Sequence, residues 1–266
     1  MVSFLSVIAL GFFLGMRHAT DPDHVIAVTT IVSRQANIKR AALVGTFWGL
    51  GHTFTIFVVG TLIILFDLVI PPRVGLSMEL SVGLMLIILG IVNVRGFLRS
   101  MPSGPVSGNS GVVHTHTHSH GDYIHSHSHG HQPEAHPHAA EKTPVNWMDK
   151  KFGGGSLYQH LRPLAIGIVH GLAGSAAVAL LVLATIGNSG WAIAYLLVFG
   201  VGTIAGMVLI TMSIASTFRL FGRTQLFFRR LALASGVLSL GFGLVLAYEI
   251  CVRSGLLTHA PRWTAQ

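Results

Sequence analysis

The residues Gly15-Met16-Arg17-His18-Ala19-Thr20-Asp21-Pro22-Asp23-His24 set five ionisable side chains inside an otherwise apolar stretch. Val2 to Leu14 before them is nearly all apolar, and Val25 to Val32 after them is apolar apart from two threonines. A charge at the centre of a bilayer costs about 3 kcal/mol on insertion scales, so Asp, Arg and His placed there read as functional. Two imidazoles and two carboxylates within seven residues make a cation ligand set.

The candidate ligands are His18, Asp21, Asp23 and His24, with His52 in Gly49-Leu50-Gly51-His52-Thr53 as a fifth. Imidazole combined with carboxylate suits Ni²⁺, Co²⁺ and Zn²⁺, whereas Ca²⁺ asks for mostly oxygen ligands. A single His in a membrane helix is often only a hydrogen-bonding partner for a neighbouring helix. That plain reading covers His170 and competes for His52, but four polar groups packed into residues 18–24 exceed what helix packing needs. Arg17 cannot ligate a cation; the expectation is structural support, by pairing with Asp21, Asp23 or a carbonyl. No phosphate-binding Gly-x-x-x-x-Gly-Lys-[Ser/Thr] loop and no His-Glu-x-x-His or His-x-x-Glu-His pattern occurs, so neither ATP-driven action nor zinc-protease chemistry is indicated. We assign no catalytic residue and no cofactor beyond the ion itself.

The elements that position these groups must be membrane helices. The 266 residues are 51% hydrophobic and 10% charged, with mean hydropathy +0.66; soluble domains carry about 25% charged residues. Six apolar runs near the length that spans about 30 Å of hydrocarbon cover about 3–32, 42–68, 77–98, 163–187, 190–218 and 229–251. The expected fold is all-α and polytopic, with six transmembrane helices. Pro22 removes a backbone donor and disfavours helix at Asp21, so the first helix should break at the motif. An unbroken helix would turn His18 and His24 about 240° apart; a break lets them converge. The first segment lacks a basic n-region and a small-residue cleavage site, and so reads as mature structure.

Thirteen of the seventeen Lys and Arg fall in the loops after the first, third and fifth runs. By the positive-inside rule these loops are cytoplasmic and both termini face outward. The basic pI of about 10.4 therefore reflects loop charge, and no nucleic-acid partner is expected. Cys251 is the lone cysteine, which rules out intrachain disulfides and reads as a small apolar residue near a helix end.

The halves resemble each other. Gly15 and His18 match Gly167 and His170; Gly49 and Gly51 match Gly200 and Gly202; Gly83 and Gly90 match Gly236 and Gly243, at offsets of 151 to 153. Three helices per copy would invert the second copy in the membrane, a plan used by secondary transporters that bind substrate near the midplane. The expected domains are a first three-helix repeat carrying the motif (1–99), a disordered His-rich cytoplasmic loop (100–162) and a second three-helix repeat (163–266). Ten of sixteen histidines lie between His114 and His138, a composition that binds metal through neutral imidazole.

Arg17-His18-Ala19-x-Asp21-x-Asp23-His24 resembles the signature of the NiCoT/NicO family of nickel/cobalt permeases, and Leu50-Gly51-His52-Thr53 resembles its second motif. The resemblance covers the six helices, and the His-rich loop has counterparts among NicO-type proteins. It implies metal recognition by His18, Asp23, His24 and His52. Two departures stand out: better-known members have eight helices, and Pro22 stands where alanine is usual.

The combined expectation is a secondary transporter in the cell inner membrane, an uptake permease for Ni²⁺ or Co²⁺. Its partners would be the divalent ion, the lipid bilayer and a cytoplasmic metallochaperone. The alternatives are a Ni/Co or Zn efflux transporter and, from another class, a membrane metalloenzyme.

Overall fold

A computed structural model of the chain describes residues 4–32, 37–66, 68, 70–99, 113–120, 123–130, 156–172, 188–221, 225–258 and 261–263. The described helices are α1 (Phe4–His18), α2 (Pro22–Val32), α3 (Ile38–Phe66), α4 (Pro72–Arg99), α5 (Ser156–His170), α6 (Ser189–Phe221) and α7 (Gln225–Tyr248), the last continued by a π-helical turn over Glu249–Arg253. Among the described residues four helices are long and apolar enough to cross a membrane: Ile38–Phe66, Pro72–Leu98, Ser189–Thr217 and Arg230–Arg253. The first expected span is divided into α1 and α2. Of the fourth, residues 173–187 lie outside the described set.

The helix starts follow local chemistry. Asn37 Oδ1 accepts from the backbone N–H of Lys39 and Arg40 at 3.0 and 3.4 Å, and Asn188 Oδ1 accepts from Gly190 and Trp191 at 2.9 and 3.2 Å. These asparagines satisfy donors that α3 and α6 would otherwise leave open. Proline opens α2 and α4, where a missing N–H costs nothing and its φ suits a first turn.

Of the His-rich segment, residues 113–120 and 123–130 lie within the described set. Strands β1 (Val113–His120) and β2 (Tyr123–Gly130) pair antiparallel, with His114 opposite His129, His116 opposite His127 and His118 opposite His125. Histidine alternating with Ser or Thr matches the two-residue period of a strand.

In the helical body α3 packs on α6, α4 on α7, α1 on α6 and α3 on α5. One apolar cluster, including Ala27, Val28, Trp48, Leu86 and Met207, joins α2, α3, α4 and α6; a second, with Ile56, Tyr195, Leu196 and Phe199, joins α3 to α6. Large apolar side chains such as Phe13, Phe54, Val201 and Val245 face outward. Glycine brings backbones into contact where lipid offers no hydrophobic drive for association. A Cβ on Gly15 would strike the carbonyl oxygen of Phe199 and approach Thr203 N, and one on Gly167 would strike that of Trp48 and approach His52 N. Likewise a Cβ on Gly51 would strike Leu164 O, and one on Gly202 would strike Phe12 O.

Candidate metal centre

The site forms where helices stop. α1 ends at His18 and closes with Thr20 N donating to Arg17 O at 2.8 Å and Asp21 N to His18 O at 3.1 Å. α2 restarts at Pro22, with Val25 N donating to Asp21 O at 3.0 Å. Three non-helical residues thus turn the chain between His18 and His24. The two rings meet at 4.7 Å between centroids, at an interplanar angle of 69°. His52 is the fifteenth of the 29 residues of α3, and His170 is the last residue of α5.

His24, His52 and His170 are fully buried, and His18 nearly so. The His24 ring lies 4.8 Å from that of His52 and 4.2 Å from that of His170, while His52 and His170 are 5.9 Å apart. Trp48 stacks on His24 at 6.0 Å and meets His170 edge-on at 5.5 Å; Phe199 lies 5.5 Å from His18. The centre is a cluster of imidazoles packed against aromatic rings.

Carboxylates fix the rings. Asp21 Oδ2 accepts from His18 Nδ1 at 2.8 Å; Asp23 Oδ1 accepts from His24 Nδ1 at 3.0 Å and its Oδ2 from His170 Nε2 at 3.0 Å. A carboxylate holding one ring nitrogen selects the tautomer that leaves the other with a lone pair, the arrangement behind metal-binding histidines. Neutral His18 then accepts at Nε2, so His52 Nε2, 2.9 Å away, is the donor. Among the described residues, His24 Nε2, His52 Nδ1 and His170 Nδ1 are buried without a hydrogen-bond partner. Such orphaned groups cost about 1–3 kcal/mol each, and a cation that ligates imidazole removes that cost.

Among the described residues, two groups of three donors each have their ligand atoms within 4.8 Å of one another: His18, His24 and His52; and Asp23, His24 and His170. Ligand nitrogens around one tetrahedral ion at 2.0–2.1 Å would sit about 3.4 Å apart, so binding draws each group inward. Two helices, α1 and α5, also end here, directing the negative ends of their dipoles at a bound cation.

The structure therefore brings together His18, Asp23, His24 and His52. Asp21 stands at the rim, partly exposed, bonded to His18. The pairing expected of Arg17 is not found among the described residues: its side chain is exposed and the histidines hold both aspartates. One residue is about 100° of helical turn, which carries Arg17 off the face that His18 presents. His170, read from the sequence as a hydrogen-bonding partner for a neighbouring helix, bonds Asp23 directly. The signal for it was its match to His18 in the repeat, at the same distance from a glycine.

Residues 4–252 match the family model NicO, described as high-affinity nickel-transport protein. The chain is 34% identical over 255 residues, 96% of each chain, to a protein of Bacillus sp. (strain TB-90) named urease accessory protein UreH. It is 36% identical over 101 residues to a protein of Methanocaldococcus jannaschii described as a candidate nickel/cobalt efflux system, covering 37% of this chain and 47% of that one. No solved structure matches.

Proposed function

The chain belongs to the NicO family of nickel-transport proteins, a multi-pass membrane family of transporters rather than enzymes, and we propose that it carries Ni²⁺ or Co²⁺ inward through the buried centre. His18, Asp23, His24 and His52 hold the ion, Asp21 orients His18, and Arg17 supports the helix break through its backbone carbonyl. The observation that carries this reading is the set of buried imidazole nitrogens without partners among the described residues, gathered where α1 and α5 end.

Residues 1–99 and 163–266 are then inverted three-helix repeats around a His-rich linker, 100–162. Supporting this, the contacts facing Gly15 (Phe199 O, Thr203 N) recur at Gly167 as Trp48 O and His52 N, and Leu164 facing Gly51 recurs as Phe12 facing Gly202. Each of these pairs differs by 151 or 152 positions. His18 and His170 become equivalents that reach the midplane from opposite faces, and buried Thr203 stands where the first repeat has His52. The protein lies in the inner membrane with termini outward and the His-rich segment cytoplasmic, supported by the distribution of Lys and Arg, and it hands its ion to a cytoplasmic metallochaperone.

A divalent cation moving inward across 100 mV gains about 4.6 kcal/mol, which supports accumulation on the order of a thousandfold without ATP. The test is uptake into proteoliposomes of Ni²⁺, Co²⁺, Zn²⁺ and Mn²⁺ under an imposed potential. Potential-driven entry of Ni²⁺ or Co²⁺, lost in His24→Ala, is the expected result; absence of ion flux refutes it. The efflux system named among the relatives favours export as the second reading, which Ni²⁺ movement driven by an imposed proton gradient but not by the potential would establish.

A further inference from the structure

We propose that the centre contains two overlapping ion positions that share His24 and are filled in turn, with His170 a ligand of the second. This rests on the reading of the cluster as the ion's binding site. The first position is His18, His24 and His52; the second is Asp23, His24 and His170. His24 alone belongs to both, and its ring is closest to each of the others, at 4.7, 4.8 and 4.2 Å. Because one imidazole lies between the two groups, an ion in either position takes the shared ring from the other.

The positions differ in the elements that build them and in charge. His18 and His52 come from α1 and α3, whereas His170 ends α5 and Asp23 lies in the first turn of α2. Three neutral imidazoles leave a divalent charge uncompensated in a medium of low dielectric; the second position adds a carboxylate. Asp23 has two parts to play. With the ion in the first position it orients His24 from Oδ1 and His170 from Oδ2; with the ion in the second it is a ligand. The buried, unpartnered Nδ1 of His170 marks that residue as a donor still to be used. Passage is a ligand exchange around His24, with no bond made or broken in the protein.

The experiment uses the full chain with the ten histidines from His114 to His138 changed to serine, so that bound Ni²⁺ reports the buried centre. Binding is read by quenching of Trp48, which touches His24 and His170, after the other three tryptophans are changed to phenylalanine. X-ray absorption counts the imidazoles on nickel, and proteoliposomes report transport. His170→Ala should still bind, with three imidazoles, and His52→Ala should bind with two plus a carboxylate; each should hold affinity within roughly 10–100-fold while transport is lost. His24→Ala should abolish binding and transport together. His170→Gln, which keeps a donor toward Asp23, should behave as His170→Ala. Four imidazoles on nickel in the unsubstituted centre, falling by one in every single variant, would show a single shared site and overturn the proposal. Normal transport by His170→Ala or His170→Gln would overturn it too. Normal binding and transport by His24→Ala would instead remove the cluster itself as the ion site.

Discussion

Replacing Gly167 with alanine tests how the backbone of α5 holds the centre together. The new Cβ would overlap the carbonyl oxygen of Trp48 and lie 2.7 Å from Trp48 Cδ1 and 3.0 Å from His52 N, where ordinary contact begins at 3.4 Å. Two of these atoms are backbone of a packed helix and cannot rotate away. α5 must retreat from α3 by roughly 1 Å, an overpacking cost of about 1–3 kcal/mol. His170, three residues on, moves with it, and its 3.0 Å bond to Asp23 stretches to about 4 Å, beyond hydrogen-bond reach. Losing a hydrogen bond to a charged group costs about 1.5–3 kcal/mol, or roughly 10–100-fold in rate. Nickel uptake by proteoliposomes should fall by that factor while the protein still inserts and elutes as a single species. Gly241→Ala is the control, because no atom lies within 4 Å of its added Cβ, and its uptake should equal that of the unsubstituted chain. Uptake by Gly167→Ala within twofold of the control would refute the reasoning.

Two further outcomes follow from the site and the linker. His18→Ala, Asp23→Ala and His24→Ala should each abolish uptake with normal membrane insertion, and near-normal uptake by all three would sink the assignment. Deleting residues 112–140 should leave uptake intact but remove most weakly bound metal, measured by equilibrium dialysis, and loss of uptake at normal expression would make the hairpin part of the pathway.

Helix content and the position of the break were legible in the sequence because each rests on local rules. Hydropathy runs the length of a bilayer mark the long helices α3, α4, α6 and α7. Pro22 disfavours helix at the residue before it and is itself suited to the first position of a helix; α2 begins there. The density of His and Asp within seven residues singles out the side chains that the structure then gathers around His24.

What the order of residues could not decide is which distant groups meet. His170 lies 147 positions from Asp23, and nothing in its own neighbourhood separates a ligand from a packing histidine. Only the approach of α5 to α3, through Gly51, Gly167 and Gly171, carries it to the carboxylate. The reverse holds for Arg17, adjacent to His18 in sequence and directed elsewhere by one step of helical rotation. The alternation of histidine with serine and threonine likewise names no partner; the pairing of residues 113–120 with 123–130 is a contact between separate stretches of chain. Local propensity depends on neighbours along the backbone and can be read from them. Coordination depends on side chains converging on one point, and it is helix packing in three dimensions that sets where they converge.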